Sequence, residues 1–256
     1  ISDILEIGSG DSAELDKELK RRMEKVTGDT TCVLLYTSGT TGKSKGVVQT
    51  HRAIIGASGG ANQHDSWTHD DYLLSYLPMA WVGDFMISVA QGMGAGACIN
   101  CPEGAETMQV DLREIGPSIF FGPPPLWERL KTSVFIRIED AAFFKKAAFK
   151  YFMAHAEKVG RDILEKRKVG LFDRMKYSLG NFLIYAPLKN MLGFSNVRIA
   201  YTAGDLISAE LFDFYRSLGI NLKQQYGQSE SSVFLTIQAN DEVFSDTVGK
   251  PIEGLE

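Results

Sequence analysis

Ten consecutive residues carry the densest chemistry in the chain: Thr37-Ser38-Gly39-Thr40-Thr41-Gly42-Lys43-Ser44-Lys45-Gly46, in which hydroxyls, three glycines and two lysines fill every position. Glycines let backbone N–H groups approach an anion closely, hydroxyls donate to its oxygens and lysines add positive charge, a composition suited to a polyphosphate. A plain solvent-exposed turn between hairpin strands would need only about two to five residues. A Walker loop fits less well. Gly42-Lys43-Ser44 satisfies its end, but its first glycine falls on Thr37, and Lys45-Gly46-Val47-Val48 puts a glycine and two β-branched residues where the following helix should begin. A second polar turn, Gly227-Gln228-Ser229-Glu230-Ser231-Ser232, lies about 190 residues later. Both turns follow apolar runs, so two strand-end loops are placed to converge on one ligand.

The remaining reactive side chains are sparse. Cys98 and Cys101 form one CxxC without a second pair or a nearby histidine, so they read as small core thiols and not as a metal or redox site. The four histidines are scattered, and only His51 stands beside a motif.

These loops need a frame to hold them. Residues 31–36, TCVLLY, are a short β-rich apolar run expected to form a buried strand, and a small-residue helix starts near Thr50. Residues 11–26 read as an amphipathic helix, with Asp11 and Glu14 as a capping box and Leu15, Leu19, Met23 and Val26 along one face. Apolar patches at 73–81 and 90–99 continue an α/β rhythm. The run IFFGPPP at 119–125 ends in three prolines, predicting a stiff turn before a helical LWERL. VRIAYT at 197–202 suits a strand, followed by a turn at Gly204 and a helix capped by Ser208 and closed by Gly219. The pattern predicts an α/β fold with mixed, largely parallel sheets flanked by helices.

The chain has 256 residues, a net charge of −5 and 44% hydrophobic residues, a composition that argues against a nucleic-acid partner. It contains no apolar run of the roughly 18 residues a membrane span requires, and its first residues lack the pattern of a signal peptide, so a cytoplasmic address is expected. Three cysteines fit a reducing compartment. Charge is uneven: residues 137–176 hold 11 Lys and Arg against 6 Asp and Glu, a local +5. There Phe143, Phe144, Ala147, Ala148, Tyr151 and Phe152 are interleaved with Lys145, Lys146 and Lys150. Two readings stand: a basic amphipathic helix resting peripherally on an anionic membrane, or a helical insertion packed on the body with its lysines in solvent.

The loop resembles YTSGTTGxPKG, the signature of the adenylate-forming (AMP-binding) ligases, at every defined position except Ser44, where proline is usual. Further segments, in the family's order, are similar to its long-chain fatty acyl-CoA synthetase branch: LLSYLPMAWVGD, FFGPPPLWERL, YTAGDLISAELFDFYRSLGI, QQYGQSES and TVGKPIEGLE. The resemblance covers about Thr31 to Glu256. It implies that residues 1–256 form part of the family's large N-terminal domain, with a phosphate-binding loop at 37–46, a basic helical insertion at about 137–195 and an adenine and Mg²⁺ segment at 197–232. The ribose-gripping aspartate, the hinge and the lysine-bearing C-terminal lid are missing from the pattern, so the chain alone is expected to adenylate very slowly or not at all.

The resemblance further implies a fatty acyl-CoA synthetase activity using ATP, Mg²⁺ and coenzyme A: a fatty acid carboxylate attacks the α-phosphate, pyrophosphate leaves, and the thiol of coenzyme A then takes the acyl group. Thr37, Ser38, Gly39, Thr40, Thr41, Gly42, Lys43 and Lys45 would hold the phosphates, with Thr37, Lys45 and Glu230 catalytic. Glu230 would hold Mg²⁺, which typically takes one or two carboxylates and completes its shell with phosphate oxygens and water. Gly204, Asp205, Leu206, Gln225, Tyr226, Gly227 and Ser229 would surround the nucleotide, Tyr226 stacking on adenine and Ser229 offering its hydroxyl to the α-phosphate. Asp205 has two readings, an acceptor for the adenine amino group or a cap for the helix at Ile207 and Ser208. Trp81, Phe121, Gly122 and Pro123 match the acyl-binding wall, with Gly122 leaving room where valine is usual. Ser44, Asp205 and Trp81 depart from the pattern, which leaves a catalytically silent domain as the competing reading. Aryl acids and a carrier-protein acceptor are variants of the ligase reading, and chain length and oligomeric state are open.

Overall fold

In the computed structural model, which describes residues 13–37 and 42–252 together with Ser2, Glu6 and Gly8, the apolar runs pair as a seven-stranded sheet. Its parallel part comprises β3 (Tyr72–Leu74), β4 (Cys98–Asn100), β5 (Ile119–Phe121), β6 (Ile199–Thr202) and β7 (Leu222–Tyr226); β8 (Thr236–Ile237) and β9 (Lys250–Pro251) extend it antiparallel, giving the order β4-β3-β5-β6-β7-β8-β9. The central strands β5 and β6 are apolar at nearly every position because both faces are covered. Leu73, Ile119, Ile199 and Tyr201 point to one face, and Leu74, Phe120, Ala200 and Leu222 to the other.

The first face is covered by α2 (His51–Asp65) and by α3, a continuous helical segment formed by Val82–Asp84, a π-helical stretch Phe85–Gly92 and Met93–Ala95. The second carries the larger core, supplied by α4 (Met108–Ile115), α5 (Pro124–Glu139), α6 (Phe143–Leu164), α7 (Leu171–Gly180, Asn181–Tyr185 and Ala186–Leu192) and α8 (Ala209–Ser217). Trp127, Tyr215, Phe120 and Phe194 form its aromatic centre, with Trp127 edge-on to Phe120 and Tyr215 at centroid distances of 5.4 and 4.7 Å. Helix α1 (Ala13–Met23) has no buried residue; its expected apolar face is exposed, and Asp11 of the expected capping box lies outside the described residues.

Three local expectations change. Strand β1 (Thr31–Thr37) buries only Leu35, because it pairs on one side with β2 (Lys45–Thr50) in a separate two-stranded hairpin, not inside the main sheet. The prolines after β5 begin a helix: Pro123 is its N-cap and Pro124 its first residue, positions where a missing N–H costs no intrahelical bond. Cys32, Cys98 and Cys101 are exposed and not core thiols. Among the described residues no helix is long and apolar enough to cross a membrane.

Candidate functional site

The hairpin β1–β2 carries the hydroxyl- and glycine-rich loop. Its seven linking residues exceed what a tight reversal needs, and the chain runs from Lys45 straight into a strand, which excludes a Walker geometry. Ser38, Gly39, Thr40 and Thr41 lie outside the described residues. Thr37 is half-buried at the end of β1, while Gly42, Lys43, Ser44 and Lys45 are exposed. Gly42 has φ +81°, a left-handed conformation that a side chain resists. Among the described residues neither Lys43 nor Lys45 makes an ion pair, so both remain available to an anion.

At the other end of β2, Thr50 caps α2 by accepting from the Ala53 N–H at 3.3 Å. One residue earlier Gln49, 4% exposed, reaches across to the second motif. Its Nε2 donates to the Ser229 carbonyl at 2.6 Å, and its Oε1 accepts from the Ser232 hydroxyl at 2.8 Å. The structure thereby ties the far end of β2, the strand that follows the first polar turn, to the second turn. Sequence reading missed Gln49; a glutamine at an inward position of a β-rich run was the available signal.

The second turn is tightly built. Tyr226 ends β7 half exposed, Gly227 folds the chain back, and Ser229–Ser231 form one 3₁₀ turn that presents Glu230 to solvent. A Cβ on Gly227 would fall 1.4 Å from the Val233 carbonyl oxygen, so only glycine fits. Ser232 and Val233 have φ of 55° and 72°, the latter a strained conformation for a β-branched residue.

After β6, Gly204 has φ +90° with nothing within 4 Å of where a Cβ would sit, leaving its backbone open to a ligand. Asp205 Oδ1 accepts from the Leu206 N–H at 2.7 Å, while Ser208 caps α8 by accepting from the Leu211 N–H at 3.2 Å. Capping thus belongs to Ser208, and Asp205 does not take that role. Asp205 and Leu206 are exposed, and with Pro124, Pro125 and Phe135 they line a cleft of about 590 Å³ against α5. Two buried side-chain atoms at these strand ends, Thr202 Oγ1 and Gln225 Nε2, find no hydrogen-bond partner among the described residues. Open backbone at Gly204, the exposed Glu230 carboxylate and the orphaned atoms of Thr202 and Gln225 follow or end the parallel strands β6 and β7, and with Lys43 and Lys45 on the separate hairpin their chemistry fits an anionic nucleotide and its divalent ion.

Of the expected acyl wall, Trp81 is 57% exposed at the start of α3. The Phe121 ring lies 3.8 Å from where a Cβ on Gly83 would sit, so it reaches the same helix start. The room expected beside Gly122 is filled: a Cβ there would meet Leu126, Phe120 and Trp127 at 3.2 Å, and its carbonyl accepts from Trp127 Nε1 at 2.8 Å. Pro123 is taken up as the N-cap of α5.

A family model described as AMP-binding enzyme matches residues 3–256. The chain is 29% identical over 248 residues to the long-chain-fatty-acid–CoA ligase ACSBG2 of Xenopus laevis, covering 93% of this chain and 33% of that protein. With the human ACSBG2 it shares 27% over 244 residues, covering 93% and 36%. The chain thus spans about a third of these curated relatives. Among solved structures, a malonyl-CoA ligase with methylmalonyl-CoA and AMP bound superposes with a TM-score of 0.62 at 17% identity, covering 91% of this chain and 40% of that one. VinN in complex with L-aspartate gives 0.61 at 18%, covering 94% and 51%. Such identities establish the shared fold.

Proposed function

Since the chain belongs to the AMP-binding enzyme family, we propose that it supplies the nucleotide and acid sites of an acid–CoA ligase that activates a fatty acid as acyl-AMP and passes it to coenzyme A. The observation that carries this reading is that the strand leading out of the Gly42–Lys45 segment is fastened, through Gln49, to the Glu230 turn. In the first half-reaction the acid carboxylate attacks the α-phosphorus of ATP and pyrophosphate leaves; in the second the thiol sulfur attacks the acyl carbonyl and AMP leaves. Negative oxygens crowd together in the first, so the work is positioning and charge stabilisation. Lys43 and Lys45 would hold the β- and γ-phosphates, Ser229 would donate to the α-phosphate, and Tyr226 would stack on the base beside Gly204. Glu230 would hold Mg²⁺, which would draw charge from the departing pyrophosphate.

ATP–pyrophosphate exchange by the full-length protein, driven by acids from short to long chain, tests the reading. Exchange with at least one fatty acid is expected; none with any acid makes the domain catalytically silent. Aryl acids and a carrier-protein acceptor are further arms of the same assay.

A second reading concerns the surface made by α6 and α7. The sequence placed Phe152 on an apolar membrane face, but Phe152 and Phe149 are buried in the core. What is exposed is a stripe on α7, Leu171, Phe172, Met175, Leu179, Phe182 and Leu183, next to Tyr151 of α6, and Phe143 and Phe144 are exposed at the start of that helix. Lys176 sits 4.1 Å over the Tyr151 ring. Lys145, Lys150, Lys166, Lys168 and Lys176 make no ion pair among the described residues. An apolar stripe edged by free cations suits an anionic bilayer. Co-sedimentation with anionic vesicles should fall as salt rises, and absence of salt-sensitive binding rejects this contact.

A further inference from the structure

Within the hairpin only Leu35 and Gln49 are buried among the described residues, and Gln49 spends both ends of its amide on one turn. Its bonds bracket Glu230, one to the preceding residue's carbonyl and one to the hydroxyl two residues beyond. That turn holds two successive left-handed non-glycine residues, Ser232 and Val233, and such strain persists only where neighbours over-determine it. Lys45 stands four residues before Gln49 on the same strand, roughly 13 Å along it. The strand is therefore a ruler with a cation at one end and a carboxylate-bearing turn bolted near the other.

We propose that Gln49 is a positioning residue that sets the Glu230 carboxylate against the Lys45 strand. It acts through the turn and touches no reacting atom. The proposal rests on the ligase reading, in which these two side chains share one Mg²⁺–polyphosphate.

The test uses the full-length protein and the variant Gln49→Met, which keeps length and burial but loses both bonds. A roughly tenfold to hundredfold fall in kcat for ATP–pyrophosphate exchange is expected, the range that follows from misplacing a group by about 1 Å. The Mg²⁺ concentration for half-maximal rate rises and KM for the acid stays unchanged. In a Glu230→Gln background the same change adds little, because the two act as one unit. Ser232→Ala, which removes a single bond, gives the same pattern more weakly. An unaltered Mg²⁺ requirement with additive losses overturns the proposal while leaving the ligase reading intact. If the parent exchanges no acid, that reading fails by itself, and amide hydrogen exchange still decides on Gln49: residues 229–233 should exchange faster in Gln49→Met without global loosening, and identical protection rejects the role.

Discussion

Strands β6 and β7 are treated in opposite ways along their length. Towards their starts the charges carried on or just before the strands, Arg198 and Lys223, are paired. Asp65, at the end of α2, accepts from the Tyr201 hydroxyl at 2.6 Å and binds Lys223 Nζ, both of its partners lying in the sheet. Trp67 Nε1 donates to the same Tyr201 oxygen at 3.1 Å. Next to them Arg198 grips Asp71 with two bonds of 2.8 and 2.6 Å and also donates to the Asp65 and Ser66 carbonyls. One residue beyond Tyr201 the pattern ends: among the described residues the buried Thr202 Oγ1 and Gln225 Nε2 have no hydrogen-bond partner, and the chain goes on through left-handed residues at Gly204 and at Ser232 and Val233. One end of these strands is closed upon itself and the other is left open for something to complete it. Charge pairing, more than apolar burial, distinguishes the scaffold end from the site end, and the orphaned Arg216 Nε and Glu165 Oε2 beside the start of β7 belong to side chains that are themselves ion-paired.

The most severe way to break this contrast is at the closed end. Lys223 and Asp65 side chains are both 0% exposed, and burial holds the Lys223 pKa below its usual value, an effect opposed by Asp65. Lys223→Met leaves a buried carboxylate without its cation and should cost about 3–5 kcal/mol of unfolding free energy, read from urea midpoints. Adding Asp65→Asn, which still accepts from Tyr201, should restore a large part of that loss. A single-variant cost below about 1 kcal/mol, the level of an exposed pair, would mean the network is not what anchors α2 to the sheet.

At the open end the sign should reverse. Thr202→Val replaces an orphaned hydroxyl with a methyl of the same shape, and since an unsatisfied buried group costs about 1–3 kcal/mol, the variant should be more stable by up to about that amount. Its thermal shift on adding ATP and Mg²⁺ should shrink if the hydroxyl serves the nucleotide. Destabilisation by Thr202→Val would show that the hydroxyl is already satisfied, and the difference between the two ends would disappear.

The open end was more legible in the sequence than the closed one. Loop composition singled out Gly42, Lys43 and Lys45 as candidates, and the Gly-Gln-Ser-Glu turn singled out Glu230, because anion chemistry demands particular residue types at close spacing. The parallel α/β frame also followed from apolar runs alternating with helical patterns. What stayed hidden depends on pairing over long separations. Nothing local says that Asp65 meets Lys223, or that Gln49 meets Ser229 and Ser232. Burial was misjudged for the same reason: TCVLLY has the composition of a core strand, but its single pairing with β2 leaves Leu34 and Tyr36 exposed. Gly122 looked like space until Trp127 was seen to fill it.

The smallest effect is also the finest probe of the contrast, because β3 has a buried aspartate beside each of its ends. Asp71, just before it, is opposed by burial, but bonds from Arg198 and Ser118 outweigh this and hold its pKa below the usual 3.8. Asp84 accepts from Ser75, just after β3, at 2.7 Å and from Ser88 at 3.4 Å, yet burial dominates and raises its pKa above 3.8. Linkage gives these shifts opposite signs. The Asp71 contribution is present above pH 3.8 and is lost as pH falls through its lowered folded value. The Asp84 contribution is present below pH 3.8 and is lost as pH rises through its raised folded value, so at neutral pH its ionised form burdens the fold. Asp84→Asn should therefore raise the melting temperature at neutral pH and remove a decline that begins just above pH 3.8, whereas Asp71→Asn should lower it at neutral pH and flatten the acid limb. If both substitutions shift stability in the same direction at neutral pH, the two ends of β3 are electrostatically alike, and the division between a paired end and an open end stops at β6 and β7.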